Sequence, residues 1–567
     1  MKMLLLYIIT LLISTVLLEC SSNRDEILLD FPLGTVKGKT RTTVNSVTVH
    51  SFQGIPFAEP VVNESRFEVA KPKEPWAGVL DATTEGSYCR QITYADVSGD
   101  EDCLFINIFS PQDPKLNASL PVMVFIYGGG FIEGASIEVN YGPDYLLDYD
   151  VVVVTFNYRI GPFGFFSTGD DVVPGNMGLK DQVLALQFVN KYIQYFGGDP
   201  TKVTIFGQSA GAASVHYHVL SPLSKGLFRA AICESASSLS VWANQKNQTE
   251  LSYLLATIVN PAFATYNATS SEIYEYLRKL PAYEIDRAAH QIHLMEKPSD
   301  IQILKGVYWG PVIEHEHKGA FINRPMYEML EDGDVNDVKL LIGVNSEEML
   351  PSDFSNLGQT IAVFEDDLEL LVPNKLNAKD SDKAVIAQKI KDFYSPLLNF
   401  SVNQRQFIKY QSDQSFARSI LKAAELESRW HDVYVYEFEY HGPLGKFADT
   451  PFIGFSDDVR HTEEISYLLC HSYPSLNTTD VTKYPVSDQI VQKIMTTLFT
   501  NFAKYLNPTP EKMDILQNIT WPSVIPDNFQ YLAIGSWMEV RRNPMENMYR
   551  FWNEIFSTYG QKPFISY

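Results

Sequence analysis

Apolar positions along the chain fall into two alternating patterns. Pro121–Tyr127 (PVMVFIY), Val151–Tyr158 (VVVVTFNY), Val203–Phe206 (VTIF) and Leu340–Val344 (LLIGV) are short continuous runs rich in β-branched residues. Runs of this kind suit strands buried on both faces of a parallel sheet. Val433–Tyr440 (VYVYEFEY) reads as one more strand. Leu179–Phe196 and Gln489–Leu506 instead place apolar side chains at helical spacing. Strands alternating with helices predict βαβ units, hence an α/β fold with a large, mostly parallel sheet. Leu251–Ile303 carries the weakest pattern and is expected to be part of an excursion covering the edge of the sheet. No tract of Pro, Gly and Ser divides the chain, so residues 23–567 are expected to form one large domain with helical insertions.

The first residues read differently. Lys2 precedes an almost wholly apolar run, Leu4–Leu18, followed by Cys20, Ser21 and Ser22. That is the layout of a secretory signal peptide over residues 1–22, and the run is shorter than the ~20 residues of a membrane span. The carboxyl end, Lys562-Pro-Phe-Ile-Ser-Tyr567, is neither a retention signal nor a lipid-anchor tail. A soluble, secreted, extracellular protein without a membrane anchor is expected.

Composition narrows the function. Hydrophobic residues make up 45% of the chain, too many for a disordered protein. Asp and Glu number 68 against 45 Lys and Arg, a formal charge of −23. Nucleic-acid binders and proteins that dock on anionic membranes rely on cationic contacts, so both classes are excluded. In an oxidising compartment Cys89 and Cys103, close in sequence, would close a short loop. Cys233 and Cys470 lie in apolar runs and read as buried thiols. Seven N-x-S/T sequons, at Asn63, Asn117, Asn247, Asn267, Asn399, Asn477 and Asn518, are glycosylation candidates in a secreted chain. His315-Glu-His317 has no further ligand nearby and C-x2-C spacing is absent, so neither a metal nor another cofactor is called for.

The strongest local signal is Gly207-Gln208-Ser209-Ala210-Gly211, directly after the strand-like Val203–Phe206 and before the helix-compatible Ala210–Leu220. Strand, sharp turn and helix are the context that G-x-S-x-G needs to expose its serine as a nucleophile. A serine hydroxyl needs a base, and the base needs an orienting acid. Leu340–Val344 runs into Asn345-Ser346-Glu347-Glu348, which places an acid at the carboxyl end of a strand. Four histidines follow, His431, His441, His461 and His471, of which spacing favours His461. Gly128-Gly129-Gly130-Phe131, after the strand Pro121–Tyr127, can aim backbone N–H groups at one point, as an oxyanion hole requires. A phosphate loop would need a Gly-Lys-Ser/Thr that is absent.

Taken in order, these residues resemble the type-B carboxylesterases of the cholinesterase superfamily. Gly54-Ile-Pro-Phe-Ala-Glu-Pro60, Arg66-Phe67, Glu101-Asp-Cys-Leu104, Asn176-Met-Gly-Leu-Lys-Asp-Gln182, Phe196-Gly-Gly-Asp-Pro200 and the elbow match family signatures along essentially the whole mature chain. The resemblance implies an α/β-hydrolase fold and a serine esterase acting on small carboxylic esters through an acyl-enzyme. It places the nucleophile on Ser209, the acid on Glu348 rather than Glu347, and the base on His461, leaving His441 a structural role. It places the oxyanion donors on Gly129, Gly130 and Ala210 and a disulfide on Cys89–Cys103. Trp242 resembles an aromatic of the family's acyl pocket and reads equally well as a core residue; Phe131 is a second pocket candidate. Departures are Tyr127, where most carboxylesterases carry His, and Met349, Asp458 and Thr462, each where Gly is usual. Gln208 in the elbow, and a Cys89–Cys103 loop without Trp, argue against choline esters. The motifs look most like those of secreted insect carboxylesterases, with a hormone hydrolase like juvenile hormone esterase as the alternative. A catalytically idle adhesion or binding member is the alternative of another class, disfavoured by the intact Ser209, Glu348 and His461. Oligomeric state is not legible.

Overall fold

In a computed structural model the described residues are 26–93, 96–116, 118–245, 247–295, 309–351, 354–445, 458–473, 476–526 and 528–567. The expected signal peptide and Asn117 lie outside them.

A thirteen-stranded sheet organises the chain. Its strands are β1 (Glu26–Phe31), β2 (Gly34–Thr42), β3 (Thr48–Pro56), β4 (Val79–Asp81), β5 (Phe105–Ser110), β6 (Leu120–Ile126), β7 (Val152–Phe156), β8 (Gly198–Gln208), β9 (Ala230–Glu234), β10 (Lys339–Asn345), β11 (Val433–Phe438), β12 (Gln530–Ile534) and β13 (Met538–Arg542). Their spatial order is β1-β2-β3-β5-β7-β6-β8-β9-β10-β11-β12-β13, with β4 beside β2. From β7 to β12 neighbours run parallel, while β1, β2, β3 and β5 form an antiparallel apron and β13 closes the other edge antiparallel. The continuous apolar runs are the central parallel strands, and every residue of β7 and β9 is buried. This is the mostly parallel α/β sheet that the alternation predicts, in the α/β-hydrolase architecture that the resemblance implies.

Helices cover the sheet where helical spacing predicts them. The expected Leu179–Phe196 helix spans Met177–Tyr192 and tightens into a 3₁₀ turn over Ile193–Phe196. The expected Gln489–Leu506 helix spans Val486–Tyr505 and packs on β6 and β8. The weakly patterned stretch forms the helices Gln248–Val259, Ser270–Leu277 and Ala282–Met295. Their main partners are one another, the helical turn Gly161–Phe165 and the short strand Gln91–Thr93, so they cover the disulfide-loop region and not an edge strand.

Two of the sequence signatures meet there. Arg66, 2% exposed, grips Glu101 with a pair of N–H···O bonds, Nε to Oε1 at 2.6 Å and Nη2 to Oε2 at 2.7 Å. Glu101 lies inside the loop closed by the Cys89–Cys103 disulfide, so the charge pair and the covalent link brace one structure. Cys233 and Cys470 are buried free thiols, as their apolar settings predict. The six described sequon asparagines, Asn63, Asn247, Asn267, Asn399, Asn477 and Asn518, are all exposed.

Candidate active site

Parallel strands point their carboxyl ends the same way, and the chemistry gathers there. β6 is followed by Gly128–Gly130, β8 by Ser209 and β10 by Glu347 and Glu348. Neighbouring β6 and β8 are in register up to Ile126 and Gly207, and β8 and β9 up to Gln208 and Glu234.

The turn at Ser209 is sharp. Its φ of 58° and ψ of −125° are strained for a non-glycine residue. The Ser209 N–H donates to the Glu234 carbonyl (2.9 Å), and its own carbonyl accepts from Ala213 (2.9 Å). Strand and helix are pressed together here: a Cβ on Gly211 would stand 1.9 Å from the Ile126 carbonyl oxygen. Only glycine fits. Ala210 is the first residue of the helix Ala210–Leu220, so its N–H has no acceptor within that helix.

The glycine loop lies against this elbow, since a Cβ on Gly128 would be 2.9 Å from Ser209 Cβ. Gly129 and Gly130 have φ of +102° and +62° and Phe131 φ of +64°. Tyr127 holds the loop from below. Its ring stacks on Tyr158 at 4.5 Å, and each hydroxyl donates to the other's carbonyl oxygen, at 3.0 and 2.9 Å. The aromatic residue at this departure from the usual His is thus a backbone anchor.

Glu348 is 2% exposed. Its Oε2 is 2.6 Å from His461 Nδ1, and its Oε1 accepts the Asn345 backbone N–H at 2.8 Å. Several bonds stitch the histidine segment to the turn after β10: Glu347 N–H to the Val459 carbonyl (2.9 Å), Val459 N–H to Ser346 Oγ (3.0 Å), Asn345 Nδ2 to the Arg460 carbonyl (2.8 Å) and His461 N–H to the Glu348 carbonyl (3.1 Å). His461 Nε2 is 3.3 Å from the Gln208 side-chain nitrogen, which sets the imidazole over the elbow.

The family model for carboxylesterases, the "Carboxylesterase family", matches residues 25–552. This chain belongs to the carboxylesterase family. It is a carboxylic-ester hydrolase. It is 34% identical to a juvenile hormone esterase of Tribolium castaneum over 87% of this chain and 84% of that one. It is 36% identical to esterase FE4 of Myzus persicae over 77% and 78% of the two chains. A crystal structure of juvenile hormone esterase from Manduca sexta, with OTFP covalently attached, superposes with a TM-score of 0.80 at 28% identity, covering 94% of this chain and all of that one.

Elsewhere in the esterase the other candidates have partners of their own. Glu347 accepts the Ser412 hydroxyl at 2.5 Å, and burial pushes its carboxyl up to about 7. His441 Nδ1 lies 2.8 Å from Glu463 Oε1, whose other oxygen accepts the Arg460 N–H, so His441 braces the histidine segment. His431 pairs with Glu427 at 2.9 Å, and His471 Nε2 is 3.1 Å from Ser466 Oγ. His315 pairs with Asp171 at 2.6 Å, and His317 donates to the His315 carbonyl at 3.0 Å. No cluster of three or more His, Cys, Asp or Glu able to hold a metal occurs among the described residues. Of the departures, Thr462 sits at φ +76°, a backbone conformation that favours glycine and strains a β-branched side chain. Met349 donates its N–H to Ser412 Oγ, and Asp458 pairs with Arg405.

The sequence motifs do not announce two neighbours of the imidazole as its partners. One is Gln208. The other is Phe416, whose ring centroid lies 4.6 Å from that of His461. Phe416 sits in a π-helical turn, Asp413–Ala417, which bulges the helix beside the site. The Ser415 carbonyl in that turn accepts the Trp242 indole N–H at 3.0 Å. Trp242 packs on Phe416 (5.6 Å) and Phe131 (6.5 Å), so the three rings form a continuous aromatic wall running away from the His461 imidazole. Both pocket candidates therefore belong to this wall, and each is also buried.

Proposed function

We propose that the chain is a secreted serine carboxylesterase for neutral esters, with Ser209, His461 and Glu348 as triad. The observation that carries this reading is the 2.6 Å Glu348–His461 pair standing over a strained elbow. Ser209 Oγ attacks the ester carbonyl while His461 Nε2 takes its proton. The imidazolium gives that proton to the departing alcohol oxygen, leaving an acyl-serine. Water then attacks the acyl carbon, losing a proton to Nε2, which passes it to Ser209 Oγ as the acyl–oxygen bond breaks and the free acid leaves. Glu348 fixes the proton on Nδ1 and stabilises the imidazolium. The N–H groups of Gly129, Gly130 and Ala210 receive the oxyanion. The leader-like residues 1–22, the disulfide and the exposed sequons support export and glycosylation.

The wall of Trp242, Phe416 and Phe131 supports uncharged, short to medium acyl groups. Phe416→Ala should raise kcat/KM for hexanoyl over acetyl nitrophenyl esters about tenfold, since one or two methylenes in an apolar pocket carry factors of ~10–200. An unchanged ratio would remove Phe416 from the acyl side. A second reading, juvenile hormone hydrolysis, is favoured by the named relatives in Tribolium castaneum and Manduca sexta. A panel of naphthyl and nitrophenyl esters, acetylthiocholine and juvenile hormone ranks the readings, and choline esters outrunning all neutral ones would overturn both.

The oxyanion assignment is tested at Gly130. A Cβ there meets only Ile132 Cγ1 at 3.8 Å, whereas one on Gly129 would stand 2.1 Å from the Glu133 carbonyl oxygen. Aspartate is among the few non-glycine residues found at a φ of +62°, so Gly130→Asp should fold and still lose ~10²–10³ in turnover, because it disturbs a donor and sets a negative charge beside the oxyanion. Full turnover in that variant would make the loop a structural turn.

A further inference from the structure

The imidazole nitrogen that has to take the serine proton already has a partner. Gln208, the last residue of β8, is 6% exposed and brings its amide nitrogen to 3.3 Å from His461 Nε2. The short bond to Glu348 fixes the ring proton on Nδ1, so Nε2 carries a lone pair and accepts the Gln208 N–H. The ring is held at both nitrogens, by a carboxylate at one and a neutral amide at the other, with Phe416 against its face.

A primary amide serves an imidazole in either charge state. It donates N–H to the neutral ring. When Nε2 has gained a proton and become a donor, half a turn about χ3 presents the amide oxygen instead. A carboxylate at this position only accepts, so it would hold the imidazolium alone and raise the pKa of the base. The titratable groups nearest the ring are acidic. Glu348 touches Nδ1, and Glu464, wholly buried, is tied to Asn345 and to Ser235 (3.3 Å). Arg460 turns its guanidinium to the Pro351 carbonyl (3.1 Å), and Glu463 is taken up by His441 and the Arg460 N–H. Burial and the neighbouring Glu348 push the Glu464 carboxyl up to about 7, so on the acid limb Glu348 is the charge that favours a protonated ring.

We propose that Gln208 is a positioning residue for the general base, keeping His461 Nε2 over the elbow while adding no second charge to that of Glu348. This rests on the reading of Ser209 and His461 as nucleophile and base. It assigns the residue before the nucleophile a part in setting the lower pH limit of the esterase.

The test is kcat/KM against pH for a nitrophenyl ester, with the parental protein, Gln208→Glu and Gln208→Met, alongside the rate of labelling by a fluorophosphonate. Gln208→Glu should move the midpoint of the acid limb up by about one pH unit, the lower end of the shift that an adjacent opposite charge gives. On the limb itself that is about a tenfold loss. Gln208→Met, uncharged and of similar length, should lower kcat about tenfold with KM held, and should not reproduce the upward movement of the limb. An acid limb in Gln208→Glu that coincides with the parental one overturns the proposal, as does an unchanged kcat in Gln208→Met. A parental protein with no acid limb, or one that the fluorophosphonate does not label, would instead strike the triad on which the proposal rests.

Discussion

Ser209→Ala should leave a folded protein whose ester turnover falls by a factor on the order of 10⁶. The hydroxyl is the only atom group removed, and the elbow does not depend on it. The strained turn is held by backbone bonds from Ser209 to Glu234 and from Ala213 to Ser209, and by the close approach of Gly211 to Ile126, all of which survive truncation at Cβ. Circular dichroism and thermal midpoint should match the parental protein, while stoichiometric labelling by a fluorophosphonate should vanish. Residual rate above water is expected from the oxyanion donors alone. Near-parental turnover in a folded variant would remove Ser209 from the chemistry and return the idle binding protein to consideration.

Glu348→Gln should cost ~10⁴ in kcat, while the same change at its neighbour, Glu347→Gln, should stay within a few-fold of parental activity. The cost comes from the tautomer: an amide at 348 offers its own N–H to the ring, favours the proton on Nε2, and so removes the base. It also loses the negative charge that stabilises the imidazolium. Glu347 faces the other way, accepting from Ser412, and with its carboxyl pushed up to about 7 it is already half neutral near physiological pH. An amide there imitates the protonated acid in shape and charge. Steady-state kinetics on both variants decides the matter, and equal losses would mean that the acid is misassigned.

The central strands and the elbow were legible for a physical reason. A strand buried on both faces has no choice but to be continuously apolar, and a strand-to-helix turn of this sharpness needs its glycines. Val151–Tyr158 read slightly long because its last residues, up to Tyr158, leave the ladder to anchor the glycine loop. The antiparallel apron was not read, since β2 and β3 alternate buried with partly exposed positions and carry many polar residues. Adjacent glutamates at 347 and 348 cannot be told apart by pattern, and only the family resemblance chose between them; in the fold one faces the imidazole and the other Ser412. Phe416 and Gln208 were illegible for a different reason. Phe416 reaches the ring through a π turn that no apolar periodicity announces, and Gln208 meets His461 across a sequence separation of 253.

That last separation bears on when the protein becomes an enzyme. Chains leave the ribosome amino-terminus first, and segments that meet only across long stretches of sequence pair late. The strand that carries Ser209 can find its neighbours β6 and β9 once residue 234 has emerged, yet the histidine segment is stitched to the turn after β10 by bonds that span more than a hundred residues. On the proposed roles, a nascent chain therefore holds Ser209 on its elbow before the segment bearing His461 can activate it. Under the proposed triad, hydrolysis waits until the carboxyl-terminal third has docked, and unfinished chains are inert towards esters.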